Sequence, residues 1–166
     1  MGTISRLMRH LLTTSSAGKR AFPPATLRAI EAAIAEGEAR HRAEVSFIVE
    51  HSLPLHELLH RTGTRQRALD LFARYRVWDT EENCGVLLYL NLADRKLEIV
   101  ADRGVAGQIG NDDWNAVCQT MTQGFAQDEF HHSSLAALAQ LNALLALHYP
   151  ADGERVNQLS DKPILL

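Results

Sequence analysis

The run Gly-Val-Leu-Leu-Tyr-Leu-Asn at residues 85–91 limits the possible folds of this chain more than any other feature. It is almost wholly apolar and carries no charge, which is typical of a strand that is covered on both faces of a sheet. After a turn at Ala93-Asp94, the side chains of residues 96–102 fall alternately into two sets, one for each face of a strand, as expected of a hairpin partner. The two segments predict a sheet that needs helices on both of its faces.

Helical spacing of apolar residues predicts the layers that cover this sheet. It predicts a first strand at residues 44–50 and four helices, at residues 25–41, 65–76, 114–125 and 135–145. In the second of these helices Thr64 is the expected cap, and the inward-facing residues should be Ala68, Leu69, Phe72 and Tyr75. Residues 162–166 predict a short edge strand. This order of elements predicts an α/β sandwich.

The first residues form a separate amphipathic pattern. Apolar side chains at helical spacing mark residues 4–12, and Arg6, Arg9 and His10 occupy the opposite face. A short basic helix of this kind can lie on an anionic membrane surface, or it can dock as an arm on its own domain. The polar stretch 13–18 predicts a linker. We therefore divide the chain into an arm with its linker, an α/β domain and a tail, at residues 1–22, 23–150 and 151–166.

Composition and charge exclude several classes of function. The 166 residues suit one domain, and the net charge of −3 gives no basic field for a nucleic-acid partner. No apolar stretch approaches the roughly 20 residues of a membrane-spanning helix, and arginines interrupt the apolar part of the N-terminus, unlike in a signal peptide. These features predict a cytoplasmic protein, with a peripheral position at the inner membrane through residues 4–12 as an option. Cys84 and Cys118 are expected to be reduced thiols.

The pentapeptide His-Glu-Leu-Leu-His at residues 56–60 matches the H-E-x-x-H pattern of zinc peptidases. On a helix its two histidines would share a face, and Glu57 could activate a water molecule. The longer form of the pattern requires a third histidine at the position of Gln66. Glu81 or Glu82 could act as a distant ligand, but their spacing does not single them out. A zinc peptidase is therefore the weakest hypothesis, and a histidine pair on a surface turn is the ordinary explanation.

A set of short motifs follows in a fixed order between Pro23 and Tyr149. They are Glu44 at the first strand and the segments VWDTEENCGVLLYL, ADRKLEIVADRGV and Trp114 to Phe130. In this order and spacing they resemble the TPM domain family, named for a thylakoid lumen protein and its bacterial and animal relatives. The tail is similar to that of a small soluble bacterial branch. The motif residues carried by the resemblance are Glu44, Asn83, Gly85, Arg95 and Gly104. The fold it implies is a single Rossmann-like α/β/α sandwich, with a small mixed sheet flanked by helices.

The resemblance implies two hypotheses about function. Plant members of the family are associated with photosystem repair and reported acid phosphatase activity, some with bound calcium, and an animal member is an auxiliary subunit of a receptor channel. The first hypothesis is a non-catalytic interaction module that binds a protein partner in a membrane-associated complex and requires no cofactor. The alternative is a divalent-metal-assisted acid phosphatase that uses Asp94, Asp102, Asp112 and Asp113.

Three glycines within residues 104–110 lie between the second hairpin strand and the next predicted helix. A helix N-terminus at this place could bind phosphate, but Asp112 and Asp113 already occupy its positive end and would repel an anion. Together with Asp102, these carboxylates could instead bind calcium or magnesium, which prefer oxygen ligands. In the simpler interpretation Asn111 caps the helix and the acids only interact with its dipole.

Overall fold

The computed structural model describes residues 3–60, 62–153 and 156–166. Helices and strands make up most of this length. In chain order the elements are α1 (Thr3–Leu12), α2 (Ser15–Ala21), α3 (Pro24–Glu38), β1 (Glu44–Glu50), α4 (Leu55–Leu59), α5 (Thr64–Arg74), β2 (Gly85–Asn91), β3 (Lys96–Ala101), α6 (Arg103–Ala106), α7 (Asn111–Ala126), α8 (Phe130–His148) and β4 (Ile164–Leu165).

The strands form one mixed sheet in the order β3-β2-β1-β4. β1 runs parallel to β2, with Val45 opposite Val86, and the short C-terminal β4 is parallel to β1 on its other side. β2 and β3 form the antiparallel hairpin, in which Leu88 lies opposite Ile99. The small mixed sheet, its hairpin and the C-terminal edge strand confirm the predicted α/β architecture.

Alternate residues of β2 enter two separate cores, because successive side chains of a strand point to opposite faces. Val86, Leu88 and Leu90 pack with residues of α3, α7 and α8 on one face of the sheet. Leu87 and Tyr89 pack with residues of α5 on the other face. All seven residues of β2 are buried, which confirms the prediction of a strand covered on both faces.

The predicted linker at residues 13–18 is wrong. Helix α2 occupies most of that stretch and leads directly into Phe22, which is 1% exposed in the core. Gly18 is buried in this helix, and a Cβ atom at this position would lie 3.3 Å from the Cβ of His51. The small side chain therefore permits close packing of α2, so residues that read as a flexible linker form part of the fold.

The boundaries of the other helices differ from the predictions by a few residues. The predicted helix at 25–41 ends as α3 at Glu38, and Thr64 is the first residue of α5 while Gly63 is its cap. Leu69 was expected to face inward but is 41% exposed, and Arg67 is buried instead. The two cysteines are free thiols, of which Cys84 is the buried one. Among the helices in the described ranges, none is long and apolar enough to cross a membrane.

Candidate functional site

The carboxyl ends of the three parallel strands meet at one edge of the sheet. In open α/β sheets ligands usually bind at this edge. Glu50 and Asn91 end β1 and β2 there, and the β2–β3 turn with Asp94 follows directly. Helix α1 lies at the same edge, since its His10 contacts the backbone of Leu53 and its Arg6 contacts Asp94. We call this region the carboxyl edge.

A buried ion pair between Arg67 and Glu50 lies at the carboxyl edge. Arg67 Nη2 donates to Glu50 Oε1 at 2.6 Å, and its Nε lies 3.2 Å and 3.1 Å from the two carboxylate oxygens. The Tyr89 hydroxyl donates to Glu50 Oε2 at 2.6 Å, and Asn91 Nδ2 donates to that hydroxyl at 3.0 Å. The hydrogen bond with Glu50 raises the pKa of Arg67, and burial raises the pKa of Tyr89. The network joins α5 to the sheet.

Asp94 is the point at which α1 is attached to the sheet. Its side chain is 7% exposed, and Arg6 Nη2 donates to its Oδ2 at 2.7 Å while Arg6 Nε is 3.1 Å from both oxygens. Arg9 Nη2 and His10 Nε2 lie 3.6 Å and 3.1 Å from Asp94 Oδ1. Burial acts to raise the pKa of Asp94, but the hydrogen bond from Arg6 and the nearby positive charges together lower it. Asp94 is thus an ionised anchor for a basic helix.

His10 is almost completely buried between α1 and the segment that follows β1. The Leu53 backbone N–H donates to His10 Nδ1 at 3.0 Å, so this nitrogen is unprotonated and the ring proton is on Nε2, which faces Asp94. Burial lowers the pKa of His10. A neutral ring fits this position, because a proton on Nδ1 would oppose the N–H of Leu53.

As a result, α1 packs with its polar face inward and its apolar face outward. Met8, Leu11 and Leu12 are 50%, 59% and 73% exposed. Leu55 and Leu59 of α4 are also exposed, and the chain on either side of α4 is bonded to α1 through Leu53 and Thr62. We call these five side chains, Met8, Leu11, Leu12, Leu55 and Leu59, the apolar patch. An amphipathic helix that docked only to complete its own domain would bury this face instead.

A cavity of about 700 Å³ opens between α1, α2, the β2–β3 turn and the α7–α8 connection. Its polar lining includes Arg9, Arg20, Arg95 and Asp128, and its apolar lining includes Leu12, Leu92, Phe125 and Phe130. Arg95 has a φ of 51°, in the left-handed region, at the end of the tight turn between the two hairpin strands. We call this space the α1 cavity.

A second cavity, of about 470 Å³, lies at the opposite edge of the sheet and is lined in part by Glu38, Glu44 and Asp161. Burial and these neighbouring acids raise the pKa of Glu38 to about 8. Its Oε1 accepts a hydrogen bond from Val45 N at 2.7 Å, while Glu44 Oε2 accepts from the backbone of Gln158 and Leu159. These bonds tie the end of α3 and the C-terminal tail to β1, which indicates a structural role.

The carboxylates considered for phosphatase chemistry do not form one group. Asp94 and Asp102 lie at opposite ends of the hairpin, separated by the length of β3, roughly 20 Å for six residues. Asp102 caps the short α6 through its Oδ1, which accepts from Arg103 N at 2.7 Å. Asp112 and Asp113 are exposed in the first turn of α7. Within the described ranges no three Asp, Glu, His or Cys side chains are arranged to hold a metal ion.

The sequence predicted Asn111 as the cap of α7, and the structure differs. Asn111 is the first helical residue, and Gly110 occupies the cap position without a side-chain hydrogen bond.

The residues of the zinc-peptidase pattern also do not share one helix face. Helix α4 is only five residues long, and His60 follows it at the cap position. The His56 side chain is exposed, whereas Glu57 turns inward and accepts from Thr62 Oγ1 at 2.6 Å. This hydrogen bond lowers the pKa of Glu57, which also lies 3.6 Å from Arg67 Nη1. Glu57 therefore extends the ion-pair network, and it also lies 3.5 Å from His56 Nε2.

The motif residues divide between the two edges of the sheet. Glu44, Asn83, Gly85 and Gly104 lie at the amino end of β1 and β2, whereas Arg95 lies at the carboxyl edge and lines the α1 cavity. A Cβ on Gly85 would come within 1.8 Å of the Val77 carbonyl oxygen, and one on Gly104 within 2.5 Å of the Glu82 carbonyl oxygen. The two glycines are thus required by close backbone packing. Glu50, Arg67 and His10 cannot be recognised as a site from the sequence, because nothing in their spacing pairs them with their partners.

Comparisons with known proteins agree with this architecture. The family model described as the TPM domain matches residues 17–144. The chain is also similar to a solved structure, the NMR structure of the BA42 protein from the psychrophilic bacterium Bizionia argentinensis, with a TM-score of 0.74 at 21% sequence identity. The match covers 84% of this chain and 92% of that chain, and at this identity it bears on the fold alone. No curated protein gives a significant match.

Proposed function

Since the chain belongs to the TPM domain family, we propose that it is a non-catalytic interaction module that assists the assembly or maintenance of a membrane-associated complex. The apolar patch is the surface that contacts the protein partner. The observation that carries this proposal is the orientation of α1, which packs Arg6 and His10 against Asp94 and leaves Met8, Leu11 and Leu12 exposed.

The energetics of α1 favour a partner on its apolar face. Burying a leucine or methionine side chain completely contributes about 1.5–3 kcal/mol, so covering this patch yields several kcal/mol. Contiguous apolar surface on a folded protein commonly marks a site of interaction. The ion pair of Arg6 with Asp94 and the contact of the neutral His10 ring with the same carboxylate hold the helix so that its apolar residues are presented together. A preorganised surface loses less conformational freedom when it binds.

The polar groups at the carboxyl edge support a binding role. Glu50 is engaged by Arg67 and Tyr89, and Asp94 is engaged by Arg6 and His10. These carboxylates serve to fix α5 and α1 in place. An acid or base in catalysis needs access to the substrate proton, which neither paired carboxylate offers in this arrangement.

The double substitution Met8→Glu/Leu11→Glu tests the proposed function. Both side chains are at least half exposed, so the folded domain should keep its melting temperature while the contact surface gains two charges. We expect wild-type protein to co-purify with one membrane complex from detergent-solubilised native membranes, and the double variant to lose that complex by at least tenfold. Quantitative mass spectrometry of the bound proteins provides the measurement.

Leu147→Glu is the matched control, because Leu147 is 73% exposed on α8, away from the patch. It should retain the complex. Equal recovery of the complex with the wild type and the Met8→Glu/Leu11→Glu variant would refute the apolar patch as the contact surface. If the wild type binds protein-free vesicles as strongly as native membranes, the partner of the apolar patch is lipid and not a protein.

A separate substitution addresses the phosphatase alternative. If Asp112 and Asp113 only interact with the dipole of α7, Asp112→Asn/Asp113→Asn should lower the free energy of unfolding by about 1 kcal/mol and leave no activity to lose. Chemical denaturation measures the first effect, and hydrolysis of p-nitrophenyl phosphate with added calcium or magnesium measures the second. Metal-dependent turnover by the wild type that disappears in the double variant would instead establish the phosphatase and displace our proposal.

A further inference from the structure

We propose that the α1 cavity binds an amphipathic anion, that is, a small molecule with one carboxylate or phosphate group on an apolar body. This inference does not depend on the proposed function. Leu12 belongs to both the apolar patch and the cavity lining, but the other four residues of the patch do not line the cavity. The argument rests on the charge of the lining, the chemistry of its walls and its place in the fold.

The charge of the cavity selects an anion. Arg9, Arg20 and Arg95 line it, against Asp128 as the acidic group in the same lining. The arginines come from three different elements, α1, α2 and the β2–β3 turn, so the fold brings separate segments together to concentrate positive charge. The planar guanidinium group binds carboxylate and phosphate oxygens in a bidentate manner, and arginine keeps its charge at any physiological pH.

The apolar walls of the cavity favour a ligand that carries an apolar group beside its anionic group. Phe125 and Phe130 line one side, with ring centroids 5.1 Å apart, and Phe130 also contacts the buried Phe22 at 5.8 Å. Leu12 and Leu92 complete the apolar lining from α1 and from the end of β2. Because Phe125 is buried in the core and Phe130 packs against the core, the apolar wall is largely preformed. An inorganic ion alone would leave such a wall uncovered.

The size and position of the cavity suit a small molecule. Its volume of about 700 Å³ is within the range of sites for such ligands, which is about 300–1,000 Å³. It also lies at the carboxyl edge, where the parallel strands β1 and β2 end. A ligand there would contact α1, α2 and the hairpin turn at once, so it should strengthen the attachment of α1 to the sheet.

Calorimetric titration with three probes tests both parts of the ligand. Decanoate carries a charge and a chain, decanol carries the chain alone, and inorganic phosphate carries the charge alone. We expect decanoate to bind one molecule per chain, with decanol and phosphate at least tenfold weaker. Equal affinity for decanol and decanoate would overturn the role of the arginines, and equal affinity for phosphate would overturn the role of the apolar wall.

The double substitution Arg20→Gln/Arg95→Gln locates the site. Both side chains are exposed, so the fold should be preserved, and decanoate affinity should fall at least tenfold. Arg74→Gln is the matched control, since Arg74 is also exposed but ends α5 at the opposite edge of the sheet. Unchanged decanoate affinity in the double variant would overturn the proposal.

Two further measurements separate this site from other surfaces. The Met8→Glu/Leu11→Glu variant alters the apolar patch and no residue that lines the cavity, so it should bind decanoate like the wild type. Vesicles of phosphatidylglycerol present the same chemistry as part of a bilayer. Vesicle binding that persists in Arg20→Gln/Arg95→Gln, without any binding of decanoate to the wild type, would show a membrane surface in place of a cavity site.

Discussion

Replacing Arg67 with leucine should lower the free energy of unfolding by about 3–5 kcal/mol, because it leaves the Glu50 carboxylate buried without a cation. The two side chains are 10% and 3% exposed, so water cannot replace the lost partner. Tyr89 would still donate one hydrogen bond to Glu50, but a single neutral donor does not balance a buried charge. Urea denaturation followed by circular dichroism gives the measurement.

Two companion variants separate this effect from loss of packing. Arg67→Leu/Glu50→Gln removes the charge that would be stranded and should recover at least half of the lost stability. Arg76→Leu is the control, since Arg76 pairs with Asp79 on the surface with its side chain 69% exposed, and it should cost less than about 1 kcal/mol. A cost for Arg67→Leu as small as that of Arg76→Leu would contradict a stabilising role for the buried pair.

The buried ion pair of Arg67 and Glu50 is a feature that the sequence does not predict. The apolar stripe of α5 was visible, and Ala68 is buried as predicted, but the buried face also includes Thr64 and Arg67. An arginine in a helix pattern normally indicates solvent. Its burial follows from Glu50, which lies 17 residues earlier at the end of another element. Such a contact depends on how α5 packs against β1 in the folded chain, and no local sequence pattern predicts it.

Strand patterns and motif order predicted the fold well for a physical reason. A run without charge, such as 85–91, has few places other than a central strand, and the glycines at 85 and 104 occupy positions that larger residues cannot. The structure separates two of the four candidate carboxylates, because closeness in sequence is not closeness in space. Asp94 and Asp102 are eight residues apart, but an extended strand between them places them at opposite edges of the sheet.

The N-terminal arm docks on its own domain, which is one of the two alternatives that the sequence leaves open, whereas the stretch predicted as a linker is helical. Its amphipathic pattern correctly predicted a helix, and the polar residues after it suggested a flexible linker. The structure instead attaches the helix through its basic face, since Asp94 in the hairpin turn supplies a buried anion for Arg6 and His10. That orientation places the apolar face in solvent. The amphipathic pattern identifies the two faces of a helix but not which of them meets the domain.

Asp94→Asn should release α1 and lower the free energy of unfolding by about 2–3 kcal/mol, the range for hydrogen bonds to a buried charged group. The substitution preserves the size of the side chain but leaves Arg6, Arg9 and His10 together without their anion. Hydrogen exchange should show faster exchange of the amides of α1, with those of β2 changed only by the overall loss of stability. Asp79→Asn, which breaks the exposed pair with Arg76, is the control and should leave α1 protected.

The same variant should change how the attachment of α1 depends on pH. Burial lowers the pKa of His10 from its ordinary value of 6.5, so between the two values the unfolded chain binds more protons than the folded one. Stability contributed by neutral His10 is therefore present above about pH 6.5 and is lost as the pH falls through its folded pKa. In the wild type, protection of α1 should decline as the pH falls below about 6.5, whereas in Asp94→Asn it should be low at every pH. Protection of α1 in Asp94→Asn equal to that of the wild type at pH 7 would refute the role of Asp94 as the anchor. Helix α1 carries three of the five residues of the apolar patch and part of the lining of the α1 cavity, so its release should abolish partner binding and decanoate binding together. The Met8→Glu/Leu11→Glu and Arg20→Gln/Arg95→Gln variants should each remove only one of the two.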